Sequence, residues 1–217
     1  MEIINAKYLI SSPNVDKCPP YNAPEIAFIG RSNVGKSSLI NMLTNNKSLA
    51  KISKSPGKTV MINHFEAQLK DETNTKLTDK EERLARLPIY LVDLPGYGYA
   101  KRSIKQRKSW VGITMNYLTQ RPNLWFVCVL IDSRLKPQTI DLEFLQDLGD
   151  NNVPCNIIFT KTDKITQKEV QHNVKLFTDA FLQIFKKVPP YFITSSEKGR
   201  GRKEILGYWH SAYPQQV

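Results

Sequence analysis

Two rhythms of apolar and polar positions alternate along this chain. Short unbroken apolar runs at 26–29, 89–92 and 124–131, and a run at 156–159 that opens on Asn156, each read as a buried strand. Between them the apolar positions fall three and four apart, as at Leu39, Ile40 and Leu43, which predicts a helix from the end of the first run to about Asn45. The same spacing predicts helices through Leu118 and over 138–148, 167–185 and 203–211. Further strands fit 60–69 and 191–194. Strand-then-helix units repeated in this way build a mostly parallel sheet with helices on both faces, so the predicted fold class is α/β with a six-stranded sheet. Residues 1–24 hold one short strand-like run at 6–10 and then an approach containing Pro19, Pro20 and Pro24. They read as a lead-in segment to a domain spanning 25–217. Two stretches show no period. The polar segment 47–60 reads as a long loop of the kind that carries function, and 70–87, dense in charge, reads as an exposed hairpin extension, partly helical.

Length and composition bound the rest. At 217 residues and 41% hydrophobic content the chain can bury one sizeable core. Cys18, Cys128 and Cys155 are far apart and form no CxxC pair, as expected of a protein in a reducing cytoplasm. The longest apolar run is too short to span a bilayer, and the N-terminus, with Glu2 and Asn5, lacks a basic-then-apolar signal pattern. No membrane association is expected, and a monomer is. The formal net charge of +11 points to a polyanionic partner.

The chemistry begins where the first buried run ends. Gly30, Arg31, Ser32, Asn33, Val34, Gly35, Lys36 and Ser37 give the spacing of two glycines separated by four residues and followed by Lys-Ser, between a strand and a helix. Backbone N–H groups can wrap a polyphosphate only where glycines remove the Cβ obstruction and admit unusual backbone angles. Lys36 then reaches the β- and γ-phosphates, the Ser37 hydroxyl is placed to bind Mg²⁺, and the following helix, starting with Ser38 and Leu39, points its positive end at the anion. A second buried run delivers Asp93 at its C-terminal end, followed by Leu94, Pro95 and Gly96. That carboxylate would lie near the Mg²⁺, and the Gly96 N–H can approach the γ-phosphate. A third strand ends in Thr160, Lys161, Thr162 and Asp163. A carboxylate at 163 can accept two hydrogen bonds from guanine, a donor pair that adenine lacks, and Lys161 can lie along the base.

Taken together, GRSNVGKSSLIN at 30–41, SPGKT at 55–59 with Ile62, Asn63 and Phe65, DLPGYGYA at 93–100 and TKTDK at 160–164 resemble the EngB (YihA/YsxC) family of bacterial ribosome-biogenesis GTPases. The likeness runs over 25–209. It implies a Ras-like P-loop GTPase fold, Mg²⁺-dependent binding of GTP and GDP with hydrolysis of GTP, a role in assembling the large ribosomal subunit from its rRNA and proteins, and in some bacteria a link to cell division. Carried onto this chain, residues 30–38 would hold phosphates, and Pro56, Gly57, Lys58 and Thr59 would belong to the first switch, with Thr59 a second Mg²⁺ ligand. Residues 93–96 would form the second switch, Thr160 to Asp163 the guanine site, and Thr194, Ser195 and Ser196 the loop whose backbone meets the guanine carbonyl. Lys36, Thr59 and Gly96 would serve hydrolysis directly. The segment 70–87 is longer than the family's usual hairpin.

Some positions depart from the best-known small GTPases. Tyr97 follows Gly96 where a glutamine would orient the attacking water, which predicts slow intrinsic turnover. Thr160 replaces an asparagine. Asn33 resembles the asparagine with which potassium-activated relatives hold a monovalent cation, and the same residue also suits a turn. Basic clusters at Lys101, Arg102, Lys105, Arg107 and Lys108, and at Lys198, Arg200, Arg202 and Lys203, are candidate RNA contacts. Two other classes also accommodate a P-loop: an RNA-binding module that never turns nucleotide over, and a small-molecule phosphotransferase. No acceptor-binding domain is evident for the latter, and Asp163 favours guanine.

Overall fold

The computed structural model describes residues 1–51, 61–70, 86–97 and 104–214, with side chains omitted over 104–111. Its seven strands form one sheet. They are β1 (Glu2–Ser12), β2 (Glu25–Gly30), β3 (Ile62–Lys70), β4 (Leu87–Asp93), β5 (Leu124–Asp132), β6 (Cys155–Thr160) and β7 (Tyr191–Ile193), in spatial order β1-β3-β4-β2-β5-β6-β7. The pairs β4–β2, β2–β5, β5–β6 and β6–β7 are parallel, whereas β1–β3 and β3–β4 are antiparallel. The sheet has one strand more than expected because the 6–10 run is part of an eleven-residue edge strand. Most of its side chains are exposed or half-buried, and its register slips twice against β3, so no clean alternation marks it in the sequence.

Among the described residues five α-helices cover the faces: α1 (Lys36–Leu43), α2 (Ile104–Gln120), α3 (Thr139–Asp150), α4 (Gln167–Leu182) and α5 (Arg202–Ser211). Alternation along each buried strand divides the core. Ile26 and Phe28 of β2 and Phe126, Cys128 and Leu130 of β5 face α1 and α5, meeting Leu39, Ile40, Leu43, Ile205, Leu206 and Trp209. Ala27, Ile29, Val127, Val129 and Ile131 face the other way, against Leu118, Phe144, Leu148, Val174 and Phe177 of α2, α3 and α4. Because β2 is buried along its whole length, its end is held firmly at the sheet's C-terminal edge, where parallel α/β sheets place ligands. Helix α4 opens with a capping box, Thr166 accepting from the Glu169 N–H while the Glu169 carboxylate accepts from the Thr166 N–H.

Candidate functional site

The ends of β2, β4, β5 and β6 converge on the loop between Gly30 and Lys36. Gly30 is required there by packing, since a Cβ would stand 2.8 Å from the Leu130 carbonyl oxygen and 2.9 Å from Val34 Cγ1. The chain then turns through left-handed backbone at Asn33 (φ 62°) and Gly35 (φ 107°), the latter capping α1. Lys36, at the first position of α1, is almost buried and its ammonium contacts Asp93 Oδ1 at the end of β4. Burial draws the Lys36 pKa down to about 7. The strand ends thus hold a cation at the mouth of a backbone cradle, the arrangement the sequence predicts for polyphosphate.

Gly96 lies flat on this cradle. A Cβ there would come 2.7 Å from the Gly30 carbonyl oxygen, so only glycine fits at this approach. The Tyr97 N–H donates to that same carbonyl at 3.1 Å. Its side chain turns away from the cradle into the core, stacking on Phe144 at 4.6 Å, with its hydroxyl donating to Asp141 Oδ1 at 2.8 Å. Tyr97 therefore places no side-chain group over the P-loop.

The predicted base-recognition residues are tied directly to the phosphate loop. The Thr160 hydroxyl donates to the Val34 carbonyl at 2.7 Å, and Lys161 Nζ donates to the Asn33 carbonyl at 2.5 Å and to Asp132 Oδ2 at 2.9 Å. Thr160 thus ties the loop with a hydroxyl, although the amide of the commoner asparagine is gone. Lys161 adopts left-handed backbone (φ 61°), which starts the short turn Thr162–Lys164 and brings Asp163 out beside the loop after β7. That loop is fastened by the Thr194 N–H to the Phe159 carbonyl (2.7 Å) and by the Thr162 hydroxyl to the Thr194 carbonyl (2.9 Å). The Ser195 hydroxyl donates to Asp163 Oδ1 at 2.6 Å, and Lys164 Nζ is 3.0 Å from Oδ2. The Ser195 hydroxyl, followed by Lys164, holds the Asp163 pKa below its ordinary value against the opposing effect of burial, so the carboxylate is an acceptor over the whole neutral range.

Several residues of this site escaped the sequence reading. Asp132, at the end of β5, receives Lys161 and a two-pronged contact from Arg134 Nε (2.9 Å) and NH2 (2.8 Å). Its signal was the same as that of Asp93, an acidic residue closing a long buried run. Asn41 of α1 clamps the segment leading to residue 51: its amide donates to the Lys47 and Ala50 carbonyls, both at 3.0 Å, and accepts from the Ala50 N–H at 2.7 Å. The buried Ser32 hydroxyl has no hydrogen-bond partner among the described residues, as suits a group turned toward a ligand. Pro56, Gly57, Lys58 and Thr59 lie outside the described residues, as do the segment 71–85 and Lys101 and Arg102 of the first basic cluster. In the second cluster Lys198, Arg200 and Lys203 are exposed, whereas Arg202 donates to the Met42 and Leu43 carbonyls, both at 3.1 Å, and so caps α1.

The donor set fits a magnesium nucleotide. Among the described residues no group of three or more His, Cys, Asp or Glu side chains could enclose a metal ion. A hard cation here would draw on the Ser37 hydroxyl, Asp93 and the phosphates themselves, the mode in which Mg²⁺ usually binds.

Comparison with known proteins agrees with this geometry. A sequence model of the family described as 50S ribosome-binding GTPase matches residues 25–161. The chain is 49% identical over 208 residues to the "Probable GTP-binding protein EngB" of Phocaeicola vulgatus, covering 96% of this chain and 95% of the relative. It is 44% identical to the protein of the same name from Flavobacterium psychrophilum, covering 96% and 93%. Among solved structures, that of a probable GTP-binding protein engB superposes with a TM-score of 0.60 at 22% identity, covering 86% of this chain and 97% of that one. Era, solved in complex with MgGDPNP and a segment of 16S ribosomal RNA, superposes with a TM-score of 0.65 at 23% identity, covering 90% and 58%. At these identities the two structures support the fold.

Proposed function

The chain belongs to the EngB family of GTP-binding proteins and carries a GTPase domain, and from that premise we propose that it is a guanine-nucleotide switch acting on the large ribosomal subunit or its precursors. The observation that carries the guanine part is the direct fastening of the base-recognition turn to the phosphate loop, Thr160 to Val34 and Lys161 to Asn33. One rigid body thereby offers a polyphosphate cradle and, at a fixed distance from it, an ionised carboxylate suited to the paired donors of guanine.

In this reading the backbone of residues 30–38 binds the phosphates, and Lys36 leaves Asp93 to neutralise the β- and γ-phosphates. Ser37, Asp93 and Thr59 would hold Mg²⁺, which when bound offsets phosphate charge. The Gly96 N–H faces the γ-phosphate, and Asp163, held by Ser195, selects the base. No side chain at position 97 orients a water, so intrinsic turnover is slow and depends on help. Part of that help would come from K⁺ bound through the exposed Asn33. The left-handed backbone there satisfies the turn role of asparagine and leaves its side chain for this second use. The remainder would come from the ribosomal particle, which the net charge of +11 favours as a partner. The family's description as a 50S ribosome-binding GTPase supports the same partner; in the same reading the protein works in the cytoplasm, with a link to cell division as a further part of it.

The test is GTP turnover by the full chain in K⁺ and in Na⁺, with and without large ribosomal subunits. The reading expects turnover to rise at least about tenfold with particles in K⁺, and Asn33→Ala to remove the difference between the salts while GDP binding persists. Equal rates in both salts would discard the K⁺ role, and indifference to particles would discard the ribosomal one.

A further inference from the structure

A tyrosine following the DxxG motif would be expected at the surface, in a loop that meets the nucleotide. Here it is 3% exposed, and so is the Asp141 side chain to which it donates. The chain reaches this point without slack. After β4, the Leu94 N–H donates to the Phe28 carbonyl at 3.0 Å and the Tyr97 N–H to the Gly30 carbonyl at 3.1 Å, carrying the parallel ladder beyond the strands. Gly96 is pressed between these two bonds onto Gly30. The ring of Tyr97, stacked on Phe144 with 23° between planes, and its hydroxyl on Asp141 then fasten the same residue to the first two turns of α3. Breaking the hydroxyl bond would lose a buried hydrogen bond to a carboxylate, so the contact is strongly specified.

We infer that Tyr97 is a positioning residue: through Asp141 and Phe144 it locks Gly96 onto the P-loop and fixes the point from which the rest of the second switch departs. This rests on the GTPase reading above. Tyr97 replaces the missing glutamine in sequence position only, and its work is done by holding the backbone N–H of its neighbour. Among the described residues, the charged and titratable groups acting on Asp141 are Tyr97 itself, Arg31 of the phosphate loop and Asp132 at the end of β5. Burial raises the Asp141 pKa to about 6, with the Tyr97 bond and Arg31 opposing it. Protonation in that range removes the charge assistance from the Tyr97 bond and slackens the lock.

Two variants test this, Tyr97→Phe, which keeps the ring, and Asp141→Asn, which keeps the shape, each confirmed as folded by thermal unfolding. In nucleotide-free protein, amide hydrogen exchange at Tyr97 should accelerate at least about tenfold in Tyr97→Phe. In turnover, kcat should fall about fivefold to tenfold while GDP affinity stays within about twofold. Wild-type kcat should show an acid limb near pH 6 that Asp141→Asn abolishes. If Tyr97→Phe does not fold, exchange and the pH profile of Asp141→Asn carry the decision alone. Folded variants with wild-type exchange, rate and acid limb would overturn the inference and leave the GTPase reading standing. A wild-type protein without GTP turnover would overturn both.

Discussion

In the proposed reading Asp163 selects the base, and its surroundings suit it to that role. Its carboxylate is held between the Ser195 hydroxyl and Lys164, with its turn fixed by the left-handed Lys161. Replacing it with asparagine turns one acceptor into a donor facing another donor, and such a mismatch costs about 1–3 kcal/mol. Asp163→Asn should therefore weaken GTP binding about tenfold or more, with xanthine nucleotide gaining; unchanged GTP affinity would remove Asp163 from base recognition. Residues of this kind were legible because their spacing is itself the signal: Gly30, Gly35, Lys36, Asp93 and Asp163 stand at strand ends that the apolar pattern already marks. Asn41, Asp132 and Asp141 were not legible. Each acts on a partner that only the fold brings near, as when Asp132 meets Lys161 from the next strand or Asp141 meets Tyr97 from another layer.

Among the elements, the parallel core was legible and the β1 edge only in part, as the run at 6–10. β2, β5 and β6 are buried on both faces and read as continuous apolar runs, whereas β1, half-exposed and twice bulged, carries neither that signal nor a clean alternation. Helix ends shifted for identifiable reasons. Asn45 with φ 50° closes α1, which ends at Leu43, and α4 ends at Leu182, short of the expected 185. At the far end of β2 from the nucleotide site, Glu25 is fully buried, accepting from the Tyr117 hydroxyl (2.5 Å) and from Arg121 Nε (3.0 Å) of the α2 end, with His64 of β3 at 3.4 Å. Arg121 also donates to the Pro19 carbonyl at 3.0 Å and lies 4.5 Å over the Tyr21 ring, so the lead-in, α2 and the sheet are joined through one carboxylate. Burial would raise the Glu25 pKa, but the nearby His64 and the bonds from Arg121 and Tyr117 outweigh this and bring it to about 2. A depressed carboxylate pKa contributes stability above the unfolded-state value and loses it as pH falls through the folded value. The fold should therefore weaken from about pH 4.5 down toward pH 2. Arg121→Met, which leaves the carboxylate buried without its main cation, should cost roughly 3–5 kcal/mol in denaturant unfolding at neutral pH. A loss under about 1 kcal/mol would show that this network does not join the elements.

At the scale of the whole molecule, the sheet divides the labour. One layer, α1 with α5, carries the phosphate loop and the exposed basic residues Lys198, Arg200 and Lys203; the other, with α3, holds the buried Tyr97 and Asp141 that fix the start of the second switch. No helix among the described residues is long and apolar enough to cross a membrane. The guanine turn and the phosphate loop act as one body because β6 delivers Thr160 and Lys161 onto the carbonyls of Val34 and Asn33. In the proposed function that joint is what selects guanine nucleotides over polyphosphate in general. Its most direct test is calorimetric binding of GTP, GDP and ATP, side by side, to the intact chain in Mg²⁺ and K⁺. GTP and GDP should bind at least about a hundredfold more tightly than ATP, since a site built to hydrogen-bond the base leaves its own buried polar groups unpaired with the wrong one. ATP binding as tightly as GTP would contradict it.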